Sequence, residues 1–160
     1  MEEEPTQRYQ TFEDLKVYQA AREFRKTMYR VAKRLPAEEK YGLAPQIRTA
    51  AVSLTNNIAE GHGRFHFLDQ TKFMFNSRGS LEELIDDLNV CEDEQYLPLD
   101  EINCLKAAGW DVHRQLGGYI RYLRSRLPKD PSRVNEAPGN ELLEDFATDP
   151  FNSSTIQPFN

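Results

Sequence analysis

His62 and His66 stand four residues apart, a spacing that would place two imidazoles on one side of a helix as metal ligands. Gly61 and Gly63 flank the first of them and read as the end of a helix, and no Glu-x-x-His context supports a zinc site. They are therefore expected to be ordinary loop histidines, with no metal. Cys91 and Cys104 lack metal-type spacing, and Cys91 lies on an apolar stripe, where it reads as packing. No glycine-rich phosphate loop, nucleophile elbow or serine–histidine arrangement of recognisable spacing occurs. The expectation is a protein that is not an enzyme, carries no cofactor and works by binding.

Charge is where binding chemistry concentrates. Arg22, Arg25, Lys26, Arg30, Lys33 and Arg34 share one half of a helical wheel, opposed only by Glu23. Arg114, Arg121 and Arg124 repeat the pattern further on, and Tyr18, Tyr29 and Tyr122 lie at or near these basic edges. Bases interleaved with rings suit a phosphate backbone with bases to stack on. The plainer explanation is a solvated helix face, and both stay open. Between Gly79 and Leu105 the reverse holds: there is no Lys or Arg, while Glu82, Glu83, Asp86, Asp87, Glu92 and Asp93 are among the acids. Acids near a helix C-terminus oppose its dipole at about 0.3–1 kcal/mol each, and pairing with the basic faces, within or between subunits, is one explanation that competes with nucleic acid for the same arginines.

A third constellation is polar. Gln46, Ser53, Asn57 and Glu60 follow one side of one segment, and Ser80, Glu83 and Asp87 follow one side of the next, with Arg48 the nearest base. This reads as a structural network holding helices or subunits in register, and a ligand site between helices is the lesser alternative. Asn57, Glu60, Ser80 and Glu83 are expected to be largely buried and hydrogen-bonded, with Arg48 as a candidate ionic partner.

Four amphipathic helices must position these groups. The first is expected over about Phe12 to Leu35, capped by Thr11 with Asp14 and stopped by Pro36. The second spans about Ala44 to Glu60, with Pro45 in its first turn. The third runs from about Leu68 to Gln95, with Phe73, Leu81, Leu88 and Cys91 on one side. The fourth starts from Asp100 as N-cap and ends near Leu127, with a seven-residue rhythm through Leu105, Val112 and Leu116. Gly117 and Gly118 inside it mark either a tolerated kink or the close approach of another backbone. No segment alternates with the period of a strand. The expected fold is all-α, an up-down antiparallel four-helix bundle over residues 11–127. Residues 1–10 are expected to form a disordered N-terminus. Residues 128–160 hold Pro128, Pro131, Pro138, Pro150 and Pro158 and are expected to form a mostly disordered, acidic tail.

The 160 residues, 39% hydrophobic and 29% charged, suit one soluble domain. No apolar run approaches the length of a membrane span, and the polar start is no signal peptide. Two cysteines point to a reducing cytoplasm. The net charge of −6 belongs mainly to the ends, since residues 129–160 contribute −4 and Glu2, Glu3 and Glu4 lie at the start.

Several motifs together resemble a known family. They are Phe12-x-x-Leu15-x-Val17-Tyr18, Tyr41-Gly42-Leu43, Gln46-Ile47-Arg48-x-Ala50-Ala51-x-Ser53, Asn57-Ile58-Ala59-Glu60-Gly61 and Gly79-Ser80-x-x-Glu83-Leu84. About residues 11–127 resemble the four-helix-bundle proteins encoded within intervening sequences of 23S ribosomal RNA genes, also labelled S23 ribosomal proteins. The accessory variability protein of diversity-generating retroelements uses the same fold. The resemblance implies a homopentameric barrel without known catalysis, and in the retroelement relative a basic barrel that binds nucleic acid and a reverse transcriptase. The expected function is an oligomeric adaptor that binds RNA or DNA, structured RNA foremost, through the basic faces of the first and fourth helices. The alternative is a protein-binding scaffold whose charged faces make subunit or partner contacts.

Overall fold

The computed structural model describes residues 11–127. The two terminal segments expected to be disordered, 1–10 and 128–160, lie outside the described residues.

Four helices account for the described chain: α1 Lys16–Arg34, α2 Leu43–His62, α3 Phe67–Asp93 and α4 Leu99–Ser125. No strand occurs among the described residues. Thr11 and Asp14 form the expected capping box, with the Asp14 carboxylate accepting from the Thr11 N–H at 2.9 Å. The box caps a short 3-10 turn, Phe12–Asp14, and not α1 itself. Leu15 is extended behind it, and α1 starts four residues later than the sequence suggested. Pro36 follows the end of α1, as expected, and leads into a second 3-10 turn, Ala37–Lys40.

Two further boundaries differ from expectation. α2 does not stop at Gly61 but continues to His62, with Gly63 as its C-cap. Gly61 is buried where α2 crosses α3: an added Cβ would lie 2.7 Å from Met74 Cε and 2.8 Å from Phe73 Cβ. Its role is close helix approach. α4 begins after Pro98, so Asp100 lies in its first turn and is not the N-cap. It still favours the helix start, where the dipole is positive.

α1 packs on α2 and α4, and α3 packs on the same two helices. α1 and α3 therefore occupy diagonal corners of an up-down antiparallel bundle. Met28, Ile47, Leu54, Ile58, Leu81, Leu88, Ile102 and Leu116 are fully buried along its axis. Each such side chain stabilises the fold by about 1.5–3 kcal/mol relative to exposure. Phe73, expected in this core, is only half-buried.

Ties at one end hold the corners. The Arg34 guanidinium pairs with both Glu101 oxygens, joining the end of α1 to the start of α4. Glu39 accepts from the Leu43 N–H at 2.7 Å and from the Tyr96 hydroxyl at 2.8 Å, linking the two connections at that end. The first of these bonds, then the second, holds the Glu39 carboxyl below its ordinary range, and the carboxylate pushes Tyr96 up to about 12. Among the described residues no helix is long and apolar enough to cross a membrane.

Candidate nucleic-acid interface

The six bases from Arg22 to Arg34 on α1 divide into two sets. Arg25 turns to the neighbouring helix, where Nη1 donates to Thr55 Oγ1 of α2 at 2.8 Å. Arg34 is held by Glu101 of α4. Between these two edges Arg22, Lys26, Arg30 and Lys33 are exposed on the outer face. Lys26 pairs with Glu23 at 2.6 Å, and that contact first holds the Glu23 carboxyl below its usual range. Arg30 donates to Thr27 Oγ1 at 2.9 Å. Arg22, Arg30 and Lys33 form no ion pair among the described residues. These four cations lie within twelve residues, Arg22 to Lys33, or about 17 Å of helix.

The bases of α4 form a weaker set. Arg114 pairs with Asp111 on its own helix. Arg121 is exposed, and Arg124 is half-buried. The nearest atoms to a Cβ built on Gly117 or Gly118 belong to the Arg121 guanidinium, at 3.6 and 3.8 Å. Among the described residues no other backbone comes within 4 Å of a Cβ built on either glycine, and α4 runs through them unbroken.

The polar seam is real in its middle and absent at its ends. Ser80 Oγ of α3 donates to Ser53 Oγ of α2 at 2.9 Å, and Asn57 Nδ2 donates to the same oxygen at 3.1 Å. Ser77 Oγ adds a buried bond of 2.6 Å to the Leu54 carbonyl. Ser53, Asn57 and Ser80 are half-buried, whereas Glu60 and Glu83 are exposed, contrary to expectation. Glu60 pairs with Arg64, one turn on, and not with Arg48. The reason is geometric. Arg48 lies two turns before Thr55, on the side of α2 that faces α1, while Ser53 and Glu60 face α3.

One expectation on a single residue turns out differently: His62 belongs to the last turn of α2, whereas His66 lies in the connection, as the residue before α3. Among the described residues no group of three or more His, Cys, Asp or Glu side chains could hold a metal ion. His113, on α4, lies 3.1 Å from Glu82 of α3 and packs edge-on to Trp110.

Some arginines sit on rings, an arrangement that the helical wheel does not announce. Arg64 lies over Phe73 at 4.8 Å, Arg78 over Phe75 at 4.6 Å and Arg126 over Phe67 at 5.7 Å. Periodicity could not find these pairs, because two of them join residues across connections. The run Arg64-Phe65-His66-Phe67 was the visible signal.

The bundle is similar to the crystal structure of a protein with unknown function from the S23 ribosomal protein family of Bacteroides thetaiotaomicron VPI-5482. The TM-score is 0.61 at 18% identity, covering 66% of this chain and 95% of that one. No curated protein matches the chain. The 23S rRNA-intervening sequence protein family model matches residues 13–118, most of the bundle just described, and the chain belongs to that family.

Proposed function

We propose that the protein is a non-catalytic adaptor of the cytoplasm, assembled from several copies, that binds structured RNA through the outer face of α1. One observation carries this reading: Arg22, Lys26, Arg30 and Lys33 are exposed side by side, with Glu23 alone as an acid on that helix. Cations that serve the fold, such as Arg25 and Arg34, are turned to its edges. Local potential governs phosphate binding more than total charge does, so the net charge of −6 is no obstacle. Arg114, Arg121 and Arg124 extend the surface more weakly.

A second reading has its own observation. α3 stands diagonally opposite α1 and exposes Glu83, Asp86, Asp93 and Glu94. Basic and acidic faces on opposite corners suit head-to-tail contact between copies, or docking of a protein partner such as a reverse transcriptase.

One variant separates the two. Arg22→Glu, Lys26→Glu and Lys33→Glu together leave the core untouched. Anisotropy titration with a structured RNA at low and moderate salt is expected to show steeply salt-dependent binding by the parent chain and loss of binding by the triple variant. The mass from light scattering should not change. If instead the mass falls, the bases serve subunit contacts and the scaffold reading replaces the first.

A further inference from the structure

At the corner where α2 turns into α3, the Phe65 ring is 91% exposed, the most exposed large hydrophobic side chain of the described residues. Its recorded ring neighbour is His66, edge-on at 5.2 Å. Arg64 precedes it. Two residues later Phe67 lies beneath Arg126, which brings the end of α4 to the same corner. One turn before Arg126 comes Tyr122, 52% exposed and stacked on Tyr119 at 5.9 Å. Across residues 60–72 and 119–127 five Lys or Arg stand against two carboxylates, Glu60 and Asp69.

Part of this has a structural explanation. Arginines in the last turn of α4 complement the negative end of its dipole. Arg64 is engaged by Glu60 and by the Phe73 ring. Neither accounts for a phenylalanine held in water, or for a second exposed ring, Tyr122, on the neighbouring helix end. Apolar rings set among surplus cations match one ligand chemistry well: a strand with flat bases to stack and phosphates to pair. A paired duplex offers the phosphates but keeps its base faces covered.

We infer that this corner is a binding site for unpaired nucleotides of an RNA loop, with Phe65 as the stacking platform, Tyr122 as a second ring and Arg126 on the phosphates. The site lies on a connection between helices, separate from the outer face of α1. The inference rests on the nucleic-acid reading above and assigns it a second contact: α1 takes the paired stem, and the corner takes the loop.

The test uses two RNAs, a hairpin with an unpaired loop and a blunt duplex of the same stem, titrated against the full chain and Phe65→Ala. The full chain should bind the hairpin more tightly. Loss of one stacked base should weaken hairpin binding by about 5- to 150-fold, while duplex binding and the melting temperature stay unchanged. Hairpin affinity unchanged in Phe65→Ala, with the full chain binding both RNAs, overturns the corner site alone. A lower oligomer mass in Phe65→Ala also overturns it, because the ring then belongs to a subunit contact. If the full chain binds neither RNA even at low salt, the nucleic-acid reading itself has failed.

Discussion

At Asp87, α3 carries a carboxylate to a place that water scarcely reaches. The residue is 6% exposed, and its Oδ2 has no hydrogen-bond partner. Burial, and then the nearby Glu83 and Asp86 carboxylates, push its pKa up to about 6 from an ordinary 3.8. Burial and then Asp87 and Glu39 likewise push the Cys91 thiol, one turn on, up to about 11. Since the folded value of Asp87 exceeds the unfolded one, the folded chain binds more protons between pH 3.8 and 6. The stability this group contributes is full below that window and is lost as pH rises through it, by up to about 3 kcal/mol. Asp87→Asn should therefore raise the melting temperature at pH 8. It should also flatten the loss of stability between pH 4 and 7, read as the difference between variant and parent chain in thermal melts. Equal melting at pH 8 would mean that a donor reaches Asp87 in the assembled protein. The sequence placed Asp87 on one side of its helix with Ser80 and Glu83 but did not give its depth. Glu83 and Asp87 differ by about 40° around the helix. That rotation takes one into solvent and the other into the core, and only the packing of α2 on α3 decides where the boundary falls.

The helices themselves were legible because each carries one apolar stripe that cannot be buried alone, and Pro36 and Pro98 limit their extension. Their ends were less so. α3 stops at Asp93 with no glycine or asparagine to announce it. The Tyr96 N–H bonds to the Cys91 carbonyl at 2.9 Å and the Gln95 N–H to the Glu92 carbonyl at 3.0 Å, the double closure of a Schellman motif. That motif needs a left-handed residue, and Gln95 supplies it at φ 55°, the only non-glycine residue with positive φ among those described. A side chain there costs about 1 kcal/mol that glycine would not. Gln95→Gly should accordingly stabilise the chain by about 0.5–1 kcal/mol, with part of the relief offset by the greater freedom of glycine in the unfolded chain. Urea unfolding would show a raised midpoint with an unchanged slope. A lowered midpoint would mean that the Gln95 side chain holds the connection to α4 in some other way. The opposite lesson comes from Gly61. A glycine that reads as punctuation in the sequence lies inside α2, because the crossing with Met74 and Phe73 sets its identity.

Which faces meet which neighbours was not legible in one chain's pattern. The basic stripe of α1 and the acidic stretch of α3 were both visible, but whether they neutralise each other within the chain depends on the order of helices around the bundle. They occupy diagonal corners, so the two outer faces point away from one another. Complementary faces separated in this way favour heterologous contacts between copies, which close into a ring when the rotation between copies permits. A closed homo-oligomer is expected on either reading, of five subunits by the family resemblance, and on the scaffold reading these two faces are what join the copies. Light scattering at micromolar concentration should give a multiple of the 18.6 kDa chain mass. If charge joins the faces, the mass should fall as salt rises from about 0.1 M toward 1 M, where the screening length shrinks from about 10 Å to 3 Å. A ring closed by apolar contact would keep its mass. On the scaffold reading, reversing Asp86 and Glu83 to Lys should split the oligomer at low salt, because two basic faces then meet, while the far-ultraviolet helix signal stays intact; where the α1 face takes RNA, the same reversal should leave the mass unchanged. A mass near that of one chain in every condition would remove the ring and leave the monomer's α1 face to act alone.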